Sequence, residues 1–140
     1  MAAIRAGQLG LDTIIVEAKK LGGTCLNVGC IPSKALLQSS HHYEMAGEVA
    51  HHGVKLSGVE VDLGAMMTRK DEVVRGLTKG VEGLLKKNKV DYLIGEGTIS
   101  GTDEITFKPA DGGEGRTLKA ENIIIATGSD VVSIPDVEID

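Results

Sequence analysis

The 140-residue chain combines short β-branched apolar runs with long stretches in which apolar residues recur at helical spacing. Thr13–Val16 and Val90–Ile94 are runs of the first kind, and each suits a buried parallel strand. Between them, apolar side chains recur at three- and four-residue steps from about Asp62, a suitable N-cap, to about Asn88. This pattern predicts a long helix with one apolar face between two strands.

Shorter elements surround these three. The Ala-rich stretch 2–10 is typical of the second half of a helix, and Gly10 stands where a C-terminal glycine cap would end it. Pro32 suits the first turn of another helix, which continues toward Met45. The pattern also predicts strands at 104–107 and 116–118, joined by the turn cluster 109–115 as a β-meander, and a third central strand at 122–126.

The order of these elements predicts an α/β fold with a parallel sheet and helices on its faces. Glu17 directly follows the first β-branched run. In a Rossmann-type unit, an acid at this place binds a ribose and follows a G-x-G-x-x-G loop by about 20 residues. We therefore expect the first strand and the phosphate-binding loop to precede Met1, so that residues 1–140 form one incomplete nucleotide-binding domain.

Charge and composition exclude some functions. The net charge of −5 arises from 20 acidic and 15 basic residues mixed along the chain, without the basic stripe that nucleic-acid binding requires. No run of about 18 apolar residues exists to span a membrane. With no Trp, one Phe and two Tyr, the core must be aliphatic. We expect neither a nucleic-acid nor a membrane partner.

The most informative segment carries the two cysteines of the chain, Cys25 and Cys30. Five steps along an ideal helix separate Cα atoms by roughly 8 to 9 Å, which exceeds the limit of about 7 Å for a disulfide. The nearby glycines at 22, 23 and 29 supply backbone freedom for a distorted turn that could close this gap. A six-residue loop would stabilise the fold by only about 2 kcal/mol, so redox exchange is the better explanation for such a bond.

Two other interpretations of the cysteines remain open. They could be reduced thiols buried in a core. They could also bind zinc together with the histidine pairs 41–42 and 51–52, although neither pair has zinc-ligand spacing. We expect no metal site.

The segment Gly22–Lys34, with the sequence GGTCLNVGCIPSK, resembles the flavin disulfide reductases of the pyridine nucleotide-disulfide oxidoreductase family. The resemblance extends over essentially the whole chain and includes the closing segment Ala126–Ser129. Leu26, Ile31 and the pair Ser33–Lys34 favour the members that oxidise protein-bound dihydrolipoamide, with glutathione and mercuric reductases as alternatives. A non-catalytic dithiol module is a further alternative from another class.

The resemblance implies a role for each matching residue. Cys25 would be the thiol that meets the substrate, and Cys30 the thiolate beside the flavin, through which electrons reach FAD and then NAD⁺. Glu17 would bind the adenosine ribose of FAD. Lys34 would lie near the flavin ring, where a cation favours the reduced flavin. The other expected contacts with FAD come from Gly22, Gly23, Thr24, Cys25, Gly97, Thr127, Gly128 and Ser129.

The resemblance also implies partners outside these residues. The NAD-binding domain and the C-terminal dimerisation domain, which carries the acid–base pair of the family, are absent from the chain. The parent enzyme would be a homodimer that accepts dihydrolipoamide from a lipoyl domain of a 2-oxoacid dehydrogenase complex. It would lie in the mitochondrial matrix in a eukaryote and in the cytoplasm otherwise. We expect the 140 residues alone to have no dehydrogenase activity.

Overall fold

The computed structural model of the protein describes residues 1–136. It is a mixed α/β structure in which helices connect the first two strands of one sheet. In chain order the elements are α1 (Ala2–Gln8), β1 (Ile14–Glu17), α2 (Gly23–Asn27), α3 (Cys30–Glu48), a 3-10 turn (Val49–His52), α4 (Leu63–Lys87), β2 (Asp91–Ile99), β3 (Glu104–Pro109) and β4 (Arg116–Lys119).

The sheet has four strands in the order β1-β2-β3-β4. β1 is parallel to the first half of β2, in a register that pairs Glu17 with Ile94. A parallel pair needs a long crossover connection, which α2, α3 and α4 provide here. The second half of β2 pairs antiparallel with β3, and β3 with β4. The parallel pair and the meander are therefore parts of one sheet, because β2 belongs to both.

Local signals in the sequence set the ends of two helices. Gly10 has φ +81° and follows α1, and the Leu11 N–H donates to the Ala6 carbonyl at 3.1 Å, as in a Schellman cap. At the start of α4, Asp62 Oδ1 accepts a hydrogen bond from the Ala65 N–H at 2.9 Å. Both ends lie where the glycine cap and the acidic N-cap predicted them.

The principal core is small and lies between α4 and the parallel strands. Leu21, Leu85 and Val90 form its buried cluster, and partly buried side chains of α1, β1, α4 and β2 pack around it. Phe107 of β3 is buried separately. The apolar face predicted for the long helix thus packs into the core where α4 meets the start of β2.

The predicted third central strand at 122–126 is wrong. No strand forms after β4 in the described residues, and Ile124 and Ile125 are 76% and 70% exposed. A strand needs a neighbour to satisfy its N–H and C=O groups. β1 is an edge strand of the described sheet, and this segment does not pair with it. β-branched residues alone therefore did not produce a strand.

The chain exposes an unusually large surface. Its accessible area is 11245 Å², whereas a compact monomer of 140 residues exposes roughly 7,000 Å². Much of the excess is apolar, because residues 53–63 and 120–136 leave Val, Leu and Ile side chains in solvent. The described residues therefore do not bury the apolar surface that their composition provides.

Among residues 1–136, none of the helices has both the length and the apolar character needed to cross a membrane.

Candidate active site

Cys25 and Cys30 form a disulfide that joins two helices. The sequence predicted a distorted turn at the cysteines, but the structure has the five-residue helix α2 before Cys30, and Cys25 lies within it. Cys30 is the first residue of α3. The backbone break between the two helices brings the Cα atoms of the cysteines to 4.7 Å, within the range of a disulfide. The expected distortion therefore lies between two helices rather than inside one.

Gly29 is the residue at which the chain changes direction. Its φ and ψ of −113° and −109° are not helical, and it is the N-cap of α3. Its N–H donates to the Thr24 carbonyl at 2.8 Å, and the Val28 N–H donates to the same oxygen at 3.0 Å. This turn folds the chain back so that the start of α3 lies beside α2.

The turn before Cys25 depends on two glycines in the left-handed region. Gly22 and Gly23 have φ of +102° and +70°. This conformation strains other residues. It turns the chain from Leu21, which is buried in the core, into α2, which is largely exposed. The glycines thus connect the cysteine segment directly to the core.

Asn27 closes this turn with its side chain. Its Nδ2 donates to the Leu21 carbonyl at 2.9 Å and to the Gly23 carbonyl at 3.0 Å. Sequence reasoning did not single out Asn27. The available signal was an amide side chain at the end of a glycine-rich turn, where Asn often bonds to nearby backbone.

Both cysteines and Thr24 are exposed, so a small thiol can reach the disulfide from solvent. Lys34 is also exposed and follows Cys30 by four residues on α3. Residues four apart share a face of a helix, so Lys34 and Cys30 lie on the same side of α3. The disulfide and a positive charge therefore share one surface.

Glu17 lies at the carboxyl end of β1, where ligands of parallel sheets bind. Its Oε1 accepts a hydrogen bond from the Lys19 N–H at 2.9 Å. Gly97 lies beyond this end on β2, and a Cβ placed on it would be 3.1 Å from Val16 Cγ1. The structure thus brings the positions of Glu17 and Gly97 to neighbouring parts of the sheet.

Thr127, Gly128 and Ser129 lie in the exposed segment after β4. Gly128 has φ +80°, but no hydrogen bond within residues 1–136 links these residues to the cysteine segment. Their expected role as contacts with FAD stays a prediction.

The histidine pairs 41–42 and 51–52 lie outside the cysteine segment. His41 is 3.7 Å from Glu44 on the exposed side of α3. In the part of the chain that the structure describes, no group of three or more His, Cys, Asp or Glu residues is arranged to hold a metal ion. With both sulfurs in a disulfide, the zinc interpretation has no structural support.

An exposed disulfide between two helices is an arrangement suited to thiol–disulfide exchange. The family model described as pyridine nucleotide-disulphide oxidoreductase matches residues 1–138. The chain belongs to this family.

Curated relatives are similar over the whole chain. A mitochondrial dihydrolipoyl dehydrogenase of Dictyostelium discoideum is 57% identical over 142 residues, covering 100% of this chain and 29% of the relative. A leghemoglobin reductase of Vigna unguiculata is 58% identical, covering 100% of this chain and 27% of the relative. Dihydrolipoyl dehydrogenase 3 of Pseudomonas putida is 52% identical, covering 99% of this chain and 30% of the relative. The chain therefore spans less than a third of the length of these relatives.

Proposed function

We propose that the chain is the disulfide-bearing part of a flavin-dependent oxidoreductase that oxidises protein-bound dihydrolipoamide and passes the electrons to NAD⁺. The observation that carries this proposal is the exposed Cys25–Cys30 disulfide between α2 and α3. A bond that closes so short a loop contributes little to folding, and an exposed disulfide is open to exchange. Its position suits a reaction rather than a structural role.

The reaction of the disulfide with a dithiol balances in two steps. A substrate thiolate attacks Cys25 Sγ, forming a mixed disulfide and releasing Cys30 as a thiolate. The second substrate thiol loses its proton and attacks its partner sulfur in the mixed disulfide, which releases Cys25. The substrate ends as a cyclic disulfide, and two electrons remain on the cysteine pair. Because the substrate entered as one thiolate and one thiol, its remaining proton passes to the pair, which becomes the Cys25 thiol and the Cys30 thiolate.

The positions of the cysteines support these different roles. Cys30 is the first residue of the 19-residue helix α3, where unpaired N–H groups and the helix dipole stabilise a negative sulfur. Cys25 is the third residue of α2, which has only five residues and therefore a much smaller dipole. Cys30 is therefore the better leaving thiolate, and Cys25 the better target for the substrate.

Two of the residues expected to contact FAD have surroundings that fit this role. Glu17 presents a carboxylate at the carboxyl end of a parallel strand, which suits hydrogen bonds from ribose hydroxyls. A Cβ on Gly23 would meet nothing within 4 Å, so the backbone there is open to a ligand. Bound FAD would supply the electron acceptor for the reduced cysteine pair.

For the other contacts with FAD we propose the roles that the resemblance to the family implies. The positive charge of Lys34 lies on the Cys30 side of α3 and would favour a reduced, negatively charged flavin. Backbone groups of the remaining residues would bind the rest of the cofactor: Gly22, Thr24, Cys25, Gly97, Thr127, Gly128 and Ser129.

The proposal extends to parts of the protein outside residues 1–140. The large exposed apolar surface supports the view that residues 1–140 are an incomplete FAD-binding domain, completed by chain outside them. NAD would be bound by a further domain, and a dimerisation domain would make the protein a homodimer. Its partner would be a lipoyl domain of a 2-oxoacid dehydrogenase complex, in the mitochondrial matrix of a eukaryote or in the cytoplasm of a bacterium.

Trapping experiments with single-cysteine variants test the exchange step. Cys30→Ser leaves Cys25 free, and Cys25→Ser leaves Cys30 free. We expect Cys30→Ser to form a mixed disulfide with an oxidised lipoyl domain, and Cys25→Ser to do so much more slowly. Equal rates from the two variants would overturn the assigned roles, and no adduct from either would overturn the proposed function.

A substrate comparison separates the proposal from its alternatives. The full-length protein should carry flavin and reduce NAD⁺ with dihydrolipoamide, and its disulfide should not turn over with glutathione. Turnover of glutathione would favour a glutathione reductase, and a flavin-free protein would favour a non-catalytic dithiol module. The 140 residues alone should form no NADH from dihydrolipoamide.

A further inference from the structure

We propose that Asn27 is a positioning residue that keeps the reduced Cys25 thiol within bonding reach of Cys30. The inference rests on the proposed function, because it assumes that the disulfide opens and closes. It assigns to Asn27 the task of setting how readily the opened pair closes again.

The side-chain Nδ2 of Asn27 donates two hydrogen bonds, both to backbone carbonyls that precede Cys25. One hydrogen bond goes to the Leu21 carbonyl at 2.9 Å in a partly buried position, and the other to the Gly23 carbonyl at 3.0 Å. Leu21 packs in the core with Leu85 and Val90. Asn27 therefore ties α2 to a fixed point of the structure.

The cysteine segment has few other ties of this kind. Gly22 and Gly23 have no side chains and are conformationally free, and a five-residue helix is unstable by itself. Within residues 1–136, the bond from Asn27 to the Leu21 carbonyl is the only side-chain hydrogen bond that links α2 to Leu21, and the bond to Gly23 lies within α2 itself. The disulfide is the covalent tie to α3. When it is reduced, the backbone bonds to the Thr24 carbonyl and the amide of Asn27 remain.

Loss of the Asn27 side chain should affect the reduced form of the chain more than the oxidised form. In the oxidised chain the disulfide fixes Cys25 whether or not Asn27 is present. In the reduced chain, loss of Asn27 lets α2 move, so that fewer molecules hold the two sulfurs close together. Net hydrogen-bond contributions predict roughly a three- to tenfold fall in the equilibrium constant for disulfide closure.

The test equilibrates the full-length protein in buffers of reduced and oxidised dithiothreitol, traps free thiols by alkylation, and measures the oxidised fraction of the Cys25–Cys30 segment by mass. Asn27→Ala removes the amide, and Asn27→Asp keeps its shape but donates no hydrogen bond. Asn88→Ala is the matched control, because Asn88 Nδ2 also donates to a carbonyl four residues earlier, that of Leu84, at 2.7 Å. Circular dichroism of each oxidised variant reports whether the helices remain.

We expect both Asn27 variants to lower the closure constant while keeping the helical signal, and Asn88→Ala to leave the constant unchanged. The inference is overturned if Asn27→Ala closes like the wild type, if Asn88→Ala falls equally, or if both Asn27 variants lose the helical signal in the oxidised form. A wild-type chain that shows no reversible closure would instead overturn the proposed function.

Discussion

Gly29 and Cys25 approach each other so closely that a side chain on Gly29 would press on the cysteine backbone. A Cβ built on Gly29 lies 3.3 Å from Cys25 Cα and 3.2 Å from the Thr24 carbonyl oxygen. Both neighbours are backbone atoms, which cannot swing away. The short distance between the helices that carry the two sulfurs therefore depends on the missing side chain of Gly29.

Gly29→Ala should push α2 and α3 apart by a few tenths of an ångström. We expect it to destabilise the oxidised chain by about 1 to 3 kcal/mol through crowding, and to slow disulfide closure. Denaturant unfolding measures the first effect, and closure in a redox buffer the second. Gly47→Ala in α3 is the control, because its Cβ would meet nothing within 4 Å. Equal stability of the two variants would contradict the crowding argument.

Reduction of the disulfide should change stability only modestly. The bond spans five positions of sequence, and a loop of that size contributes about 2 kcal/mol in the chain-entropy model. We expect the double variant Cys25→Ser with Cys30→Ser to lose about this amount and to keep its helices. Chemical denaturation compared with the oxidised wild type gives the measurement. Complete unfolding of the variant would mean that the disulfide has a structural role.

Most of the regular structure was predictable because it depends on local signals. The Asp62 cap, the Gly10 cap and the apolar spacing of the long helix placed α1 and α4 within a residue or two. The two short strands of the meander and the turn between them were also found. Signals that act within a few residues can be read without knowing what packs against them.

The features that sequence reasoning missed depend on neighbours. Residues 122–126 have strand composition but no partner in the described sheet, so they form no strand. At the site, the motif predicted a distorted turn and the cysteine pair, but not the helix α2 that holds Cys25. The two hydrogen bonds of Asn27 depend on how that turn folds back, and spacing alone does not reveal them.

Gly95 marks the point where β2 changes from its parallel partner to its antiparallel one. It is buried, with φ +155°, and a Cβ there would overlap the Lys108 carbonyl oxygen and lie 2.7 Å from Phe107 Cε2. Gly95→Ala should cost roughly 3 kcal/mol or more, because β3 must shift and Phe107 is buried.

Thermal or denaturant unfolding of Gly95→Ala measures this cost. Gly80→Ala in α4 is the control, because a Cβ there meets nothing within 4 Å and alanine favours a helix. We expect the control to be neutral or slightly stabilising. A Gly95 variant as stable as the control would show that the meander can adjust without loss.

Tyr92 and Glu82 join β2 to α4 through a hydrogen bond that responds to pH. The Tyr92 hydroxyl donates to Glu82 Oε1 at 2.7 Å. This bond raises the pKa of Tyr92 above the ordinary tyrosine value, and partial desolvation and the charge of Glu82 act in the same direction. Because the folded chain holds the proton more tightly, this stabilisation is present below the ordinary pKa and is lost as pH rises through the raised value.

The pKa can be followed by phenolate absorbance in a Tyr43→Phe background, since the chain has two tyrosines and Tyr92 then gives the whole signal. Glu82→Gln should lower the pKa of Tyr92 toward the ordinary value, because it removes the negative charge. Glu72→Gln, on the same helix, should leave the titration unchanged and serves as the control. If Glu82→Gln left the midpoint where it was, the hydrogen bond and charge of Glu82 would not be what raises it.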